Sequence, residues 1–163
     1  MYNATMEKRI KRVYVDSVAV GGKFNKRLAE QTKPFWDAVE RGEIRVIVSD
    51  ILEQEAIKAP QRVRDFLGSL SESQVERVAS TDESDALAER YIAEGVVGES
   101  SLDDCKHIAL ATIARADALV SWNFGHIVNI DRIRGYNGVN MKLGYPQIDI
   151  LTPSMVIYDE TEN

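Results

Sequence analysis

The sequence lacks the features that mark secreted and membrane-bound proteins. Of its 163 residues only one is a cysteine, Cys105, so no internal disulfide can form and nothing indicates an oxidising compartment. No apolar run approaches the roughly 20 residues that are needed to cross a bilayer. The stretch 6–12 is polar and basic and has no apolar centre of the kind found in signal peptides. We therefore expect a cytoplasmic protein that makes no contact with membranes.

The sequence also lacks the short motifs of several enzyme classes. Gly21 and Gly22 stand alone, so there is no glycine-rich phosphate loop of the P-loop or dinucleotide-binding type. No G-x-S-x-G nucleophile elbow occurs. Cys105 lies in an apolar segment, where a thiol is usually inert. The groups that remain for chemistry are hard oxygen ligands, which suit Mg²⁺ or Mn²⁺ better than Zn²⁺.

Composition and length indicate a globular chain. Hydrophobic residues make up 44% and charged residues 28% of the sequence, which is an ordinary balance for a folded protein. We predict one domain over residues 1–163, with a core over about 12–151 and polar tails at both ends. The formal net charge of −6 counts against a nucleic-acid enzyme, because phosphate binding normally leaves a basic footprint. A carboxylate cluster that binds a cation, or basic surface from a partner, would lessen this objection.

Short apolar runs alternate with helical stretches along the chain. This pattern predicts a three-layer α/β/α domain with a mainly parallel central sheet of four to five strands. The predicted strands are 13–15, 44–48, 118–120 and 148–151, with 75–79 as a weaker fifth. The predicted helices include one that contains Pro34 and ends at Gly42, and two over 82–94 and 102–116. Residues 133–146 hold three glycines and Pro146, and this composition predicts mostly loop.

Three polar residues directly follow predicted strands: Asp16, Ser49 and Ser121. In open α/β sheets the working crevice lies beyond the carboxyl ends of the strands, so these side chains are candidates for a shared site. For Ser49 and Ser121 taken alone, capping of the helices that follow is the favoured role. Asp16 precedes 17–22, which is a poor helix start, so capping explains it less well.

Glu55 falls within an apolar helical stripe. On a helix that begins near Asp50, Glu55 lies four residues from both Ile51 and Ala59, which are on the inward face. A carboxylate on such a face is costly unless it is paired or binds a metal. Glu53 lies on the opposite side, where a first-turn acid favours the helix dipole. We therefore assign the chemical role to Glu55.

Asp103 and Asp104 open the most apolar helix of the chain. Residues 101–104 fit the [ST]-x-x-[DE] capping pattern, so Asp104 has a structural explanation as well as a functional one. Asp104 and His107 share one helical face by their spacing, and most of that face is apolar. This placement favours a hydrogen-bonded core histidine over a metal ligand at position 107.

Four segments, in order, resemble the PIN-domain family of ribonucleases, close to the toxin halves of bacterial VapBC-type toxin–antitoxin pairs. The segments are Val13-Tyr14-Val15-Asp16, Ser49 with Glu55 six residues later, Asp104 to Ala109 as D-x-x-H-x-A, and Leu119 to Phe124. The resemblance extends over roughly residues 12–151. Asn123 stands where the family usually has Asp, and an amide offers an oxygen ligand but no charge.

The resemblance implies a metal-dependent endoribonuclease with Mg²⁺ or Mn²⁺ as cofactor. It implies that the metal ligands are Asp16, Glu55 and Asp104, that Asn123 joins them in catalysis, and that Asp103, Ser49 and Ser121 support them. Candidates for phosphate contacts, each of which could instead be a solvated surface charge, are Lys23, Lys26, Arg27, Arg132 and Arg134. The partners implied are an RNA substrate and a cognate antitoxin, and a homodimer is left open.

Two other functions stay open at this point. A phosphotransfer receiver or phosphatase would use Asp16 as a phosphoacceptor, but Asp16-Ser17-Val18 lacks the second acid of the D-x-D motif of such phosphatases. Receivers also gather extra acids near the first strand and a lysine after a later one, and neither is clear here. The other alternative is a non-catalytic PIN-like module that binds RNA or protein, because the fourth acid is replaced by Asn123.

Overall fold

The protein is built on a sheet of five parallel strands. The structure, a computed structural model, describes residues 9–158, so residues 1–8 and 159–163 of the predicted polar tails lie outside the described residues, whereas Pro153–Tyr158 of the predicted C-terminal tail form a helix. The strands are β1 (Lys11–Val15), β2 (Ile44–Ser49), β3 (Val75–Val78), β4 (Ala118–Val120) and β5 (Ile150–Leu151). Their order in the sheet is β3-β2-β1-β4-β5, and every neighbouring pair is parallel. The predicted α/β class and the weaker fifth strand are both confirmed.

Helices cover both faces of the sheet. They are α1 (Ser17–Gly22), α2 (Ala29–Glu40), α3 (Asp50–Ile57), α4 (Gln61–Ser69), α5 (Asp82–Ala93), α6 (Leu102–Ile113), α7 (Ile130–Lys142) and α8 (Pro153–Tyr158), with a 3₁₀ turn at Glu99–Ser101. Successive strand residues point to opposite faces, so Tyr14 packs with α5, α6 and α7 while Val13 and Val15 pack with α1, α2 and α4. None of the described helices combines the length and apolar character needed to cross a membrane.

The prediction that residues 133–146 are mostly loop is wrong, because α7 spans most of them. Asn129 caps this helix by accepting hydrogen bonds from the backbone N–H groups of residues 131 and 132, at 3.1 and 3.2 Å. Gly135 is needed for packing here, since a Cβ at that position would lie 2.7 Å from Val96 Cγ1. Gly144, with φ of 85°, follows the end of the helix and marks its stop. The glycines reflect close contact and termination, which composition alone cannot separate from loop.

The interpretation of Asp16 and the segment that follows it also needs correction. Residues 17–22 form the short helix α1, and Asp16 caps it through a 2.8 Å hydrogen bond from the Ala19 N–H to Oδ1. The glycine at the end of α1 permits a close approach to the segment after β4. A Cβ on Gly22 would lie 2.7 Å from the indole of Trp122, whose Nε1 donates to Thr32 Oγ1 at 3.0 Å.

We predict that Gly22→Ala and Gly21→Ala change stability in opposite directions. At Gly22 the added methyl group displaces the Trp122 indole, and overpacking of this kind costs about 1–3 kcal/mol. At Gly21 a Cβ meets nothing within 4 Å, so alanine gains about 0.5–1 kcal/mol from its better helix propensity. Urea unfolding of both variants measures the two effects. Equal shifts would mean that α1 does not pack on Trp122 as described.

Candidate active site

Asp16 is held in one orientation at the end of β1. Its side chain is buried, Oδ1 accepts the cap hydrogen bond from Ala19, and Oδ2 accepts a hydrogen bond from the Ser121 hydroxyl at 2.6 Å. Burial raises the pKa of the Asp16 carboxyl above its usual range, although the charge of His107 and the two hydrogen bonds act against this rise. Each carboxylate oxygen still has a lone pair that could bind a cation.

Glu55 and Glu53 lie on opposite sides of α3, as the apolar stripe predicts. The Glu55 side chain is 31% exposed, and its Oε1 lies 2.7 Å from His107 Nε2. Glu53 is exposed and forms a surface ion pair with Arg77 at 3.1 Å. Of these two acids, Glu55 contacts a buried side chain and Glu53 contacts a surface side chain, so Glu55 is the candidate for a site.

His107 connects Glu55 to the strands of the sheet. Its ring is buried, and Nδ1 lies 2.6 Å from the hydroxyl of Tyr14. Tyr14 donates to Ser49 Oγ at 2.8 Å, and Ser49 Oγ also accepts the Leu52 N–H at 3.1 Å, which makes Ser49 the cap of α3. His107 is therefore a hydrogen-bonded core histidine, as its helical face predicts.

The surroundings of His107 favour its charged form. The Glu55 carboxylate can only accept, so His107 Nε2 is the donor in the hydrogen bond that joins them. Burial alone would lower the pKa of His107, but the hydrogen bond to Glu55 and the charges of Glu55, Asp16 and Asp104 raise it above its usual value.

Asp104 lies in the first turn of α6 and is partly buried. Burial raises the pKa of its carboxyl, while the charges of His107 and His126 lower it. Ser101 makes no side-chain hydrogen bond to the start of α6 in the described chain, so the capping pattern that the sequence offers at 101–104 is not formed. Asp103, the neighbouring acid, is exposed. Asp104 is thus left without the structural role that the sequence suggested for it.

Ser121 joins Asp16 to the loop that carries Asn123. Besides donating to Asp16, the Ser121 hydroxyl accepts the Asn123 N–H at 2.9 Å. The Asn123 amide oxygen accepts the N–H groups of Gly125 and His126, at 3.2 and 3.1 Å, and so shapes the loop. No described helix begins directly after Ser121, so the helix-cap explanation applies to Ser49 and not to Ser121.

The five basic candidates for phosphate contacts differ in their exposure and in their contacts within the protein. Lys23 Nζ lies 4.5 Å from the centre of the Phe66 ring, and the Arg132 guanidinium donates to the Val96 carbonyl. Both cations are thus engaged within the protein. The exposed members of the set are Lys26, Arg27 and Arg134.

Tyr14 is the residue of this region that sequence reasoning missed. The signal was a tyrosine in a strand that otherwise reads Val-x-Val, because a buried tyrosine hydroxyl normally has a hydrogen-bond partner. Its partner could not be read from the sequence, since Ser49 and His107 are 35 and 93 residues away.

The donor set fits a divalent cation in its chemistry. Asp16 and Asp104 have pKa values raised by burial, and a bound cation would supply the opposite charge that burial makes desirable. Within residues 9–158, no group of three or more His, Cys, Asp or Glu side chains is arranged closely enough to hold a metal ion. Binding by all of Asp16, Glu55 and Asp104 would therefore require the Asp104 side chain to move, since hydrogen bonds hold Asp16 and Glu55 in the positions described.

Comparison with solved structures identifies the fold. No protein-family model matches the chain, and no curated protein matches it. The structure of VapC20 from Mycobacterium tuberculosis, a sarcin–ricin-loop-cleaving toxin, is similar with a TM-score of 0.53 and 14% identity, over 69% of this chain and 91% of that one. FitAcB from Neisseria gonorrhoeae is similar with a TM-score of 0.51 and 10% identity, over 86% of this chain and 97% of that one. These likenesses show a PIN-like three-layer fold, which the sequence resemblance predicted.

We predict that Asn123→Asp keeps the loop and tightens divalent-metal binding. A carboxylate retains the acceptor for the Gly125 and His126 N–H groups, and it adds a charge that a cation favours and that destabilises the metal-free form. Asn123→Ala removes the acceptor and should cost about 1–2 kcal/mol of stability in EDTA. Calorimetric titration with Mn²⁺ and melts in EDTA measure both effects. Identical Mn²⁺ affinities for wild type and Asn123→Asp would place residue 123 away from the metal.

Proposed function

We propose that the protein is a toxin-type endoribonuclease that hydrolyses RNA phosphodiester bonds with Mg²⁺ or Mn²⁺. The observation that carries this proposal is the meeting of three acids from β1, α3 and α6 around one buried histidine. Asp16, Glu55 and Asp104 each lie close enough to His107 for their charges to interact. Such a set of carboxylates beyond the carboxyl ends of parallel strands is a suitable place for hydrolysis of a charged ester.

In this proposal Asp16, Glu55 and Asp104 hold the cation. A divalent metal held there would supply a more acidic water and a positive charge opposite the phosphate oxygens. Asp16 contributes a carboxylate whose orientation is fixed by Ala19 and Ser121, so little ordering is left to be done on binding. Asp103, exposed at the start of α6, or Asn123 orients an outer water.

A protein of the same fold supports this function. RNA cleavage is a property stated of VapC20, and at 14% identity the likeness alone does not transfer it. We propose a cognate antitoxin as the protein partner and the cytoplasm as the site of action, from the sequence resemblance. A homodimer would bring the exposed basic residues of two chains to one groove, although each chain has a net charge of −6.

The structure argues against Asp16 as a phosphoacceptor. A phosphoacceptor carboxylate must admit a whole phosphoryl group to one oxygen, whereas Asp16 is 1% exposed and both of its oxygens already accept hydrogen bonds. A small cation needs only the lone pair that each oxygen keeps. The other alternative, a non-catalytic PIN-like module that binds RNA or protein, is separated from a nuclease by the turnover experiment below.

We predict that the purified protein degrades RNA in Mn²⁺ or Mg²⁺ and stops in EDTA. Glu55→Gln should abolish cleavage because the metal loses a charged ligand, while the amide oxygen still accepts from His107 and preserves the fold. Glu53→Gln should retain most activity, since Glu53 is exposed and forms a surface ion pair with Arg77. Gel assays of RNA cleavage measure all three proteins.

Melts of the three proteins in EDTA are the control that separates loss of activity from loss of fold. Activity of the wild type that persists in EDTA would reject the metal mechanism. An inactive Glu53→Gln beside an active Glu55→Gln would reverse the assignment of the two acids. Binding of RNA without turnover in Mn²⁺ would favour the non-catalytic module.

The loop next to the acids supports single-stranded RNA as the substrate. Phe124 is 57% exposed and follows Asn123, whose N–H is tied to Asp16 through Ser121. An exposed aromatic ring in a braced loop offers a surface on which an unpaired base can stack. The Trp122 ring, 6.1 Å away between centroids, is largely buried and supports the loop from inside.

We predict that Phe124→Ala weakens binding of a single-stranded RNA oligonucleotide, because loss of one base–aromatic stack costs about 1–3 kcal/mol. Fluorescence anisotropy in EDTA measures the affinity without cleavage. Met141→Ala is the matched control, since Met141 is similarly exposed at 61% but lies near the end of α7. Equal affinities for wild type and Phe124→Ala would remove Phe124 from the RNA surface.

A further inference from the structure

The hydroxyl of Tyr14 has a role that packing does not explain. Tyr14 is fully buried between Val13 and Val15 in the central strand β1, where phenylalanine would fill the same space and need no hydrogen-bond partner. Burying a polar group is unfavourable unless it is paired, and here the hydroxyl is paired twice, with Ser49 and with His107. The hydroxyl therefore makes polar contacts at a position where an apolar residue would be simpler.

The hydrogen bonds of Tyr14 lead out of the core to Glu55. From the Ser49 cap of α3 they pass through the Tyr14 hydroxyl to His107 Nδ1, and from His107 Nε2 to Glu55 Oε1, with distances of 2.8, 2.6 and 2.7 Å. Ser49 and Glu55 belong to the same strand–helix unit, so the path is a closed bridge across the start of α3. Such a bridge fixes where the Glu55 carboxylate stands relative to the strand ends.

Tyr91 is a buried tyrosine whose hydroxyl takes part in hydrogen bonds between helices of the core. Its hydroxyl donates to Asn140 Oδ1 at 2.5 Å, and Asn140 Nδ2 donates to Thr112 Oγ1 at 3.2 Å. These residues join α5, α7 and α6, and none of the hydrogen bonds reaches an acid of the candidate site. Tyr91 and Tyr14 are equally buried and each donates one side-chain hydrogen bond, so they form a matched pair.

We propose that Tyr14 and His107 are positioning residues that hold the Glu55 carboxylate ready for the metal. His107 engages Oε1, and among the described residues no donor lies on Oε2, which is left for the cation. A glutamate that is 31% exposed otherwise samples several rotamers, and ordering it in advance favours metal binding. The inference rests on the proposed function, because it assigns Glu55 as a ligand.

The test compares Tyr14→Phe with Tyr91→Phe, each of which removes one buried hydroxyl. Tyr14→Phe should weaken Mn²⁺ affinity about 10-fold, as loss of partners that orient metal ligands generally does, and should lower kcat while KM for RNA stays unchanged. Tyr91→Phe should leave Mn²⁺ affinity and kcat at wild-type values. Calorimetric titration with Mn²⁺ alone gives the affinities, and melts in EDTA show whether the two variants lose similar stability.

A second pair of variants provides a rescue that a purely structural role would not show. His107→Gln keeps an N–H donor that can reach Glu55, whereas His107→Leu keeps only the bulk. Mn²⁺ affinity should therefore be largely retained in His107→Gln and lost in His107→Leu. If Tyr14→Phe fails to fold, this pair decides the question.

The outcomes separate this inference from the proposed function. RNA cleavage with equal Mn²⁺ affinities in Tyr14→Phe and Tyr91→Phe would overturn the positioning role and leave the nuclease proposal standing. Mn²⁺ affinities that differ as expected, in a protein that never cleaves RNA, would support the positioning role and overturn the nuclease proposal. A wild type that binds no Mn²⁺ would overturn the positioning role.

Discussion

A carboxylate buried at the end of the central strand constrains the structure around it. Asp16 is held by an N–H of α1 on one oxygen and by the Ser121 hydroxyl on the other, so it ties the helix after β1 to the loop after β4. The same two segments meet again where Gly22 approaches Trp122, in contact too close for any larger residue. The hydrogen bonds of Asp16 and the packing of Gly22 on Trp122 thus hold the same two segments together.

The charges at this edge of the sheet follow from that burial. Asp16 and Asp104 lack full solvation, which raises the pKa of both carboxyls, while the charge of His107 acts to lower both pKa values. Three acids surround one histidine, so negative charge prevails in this group. Under the proposed function a divalent cation would supply the missing positive charge.

Much of the fold could be predicted from the sequence because the sheet is simple. Brief β-branched runs give all five strands, and the stripe on α3 gives the opposite orientations of Glu55 and Glu53. The errors came where tertiary contact decides the local structure. Gly135 reads as loop until its contact with Val96 is known, and 17–22 reads as a poor helix until the cap by Asp16 is seen.

Only those features of the site that depend on a single strand or helix could be predicted from the sequence. The acids were found from strand ends and helix faces, which are local properties, whereas the bridge from Ser49 through Tyr14 and His107 to Glu55 joins β2, β1, α6 and α3. No spacing rule relates residues that meet only after the strands are ordered in the sheet.

The amide at position 123 is consistent with the same charge balance. An aspartate there would add a fourth acid to a group in which three acids already surround one histidine. The Asn123 oxygen instead accepts two backbone N–H groups and shapes the loop with no added charge. Under the proposed function, asparagine at this position would lower metal affinity and favour the metal-free form, while the loop that presents Phe124 is preserved.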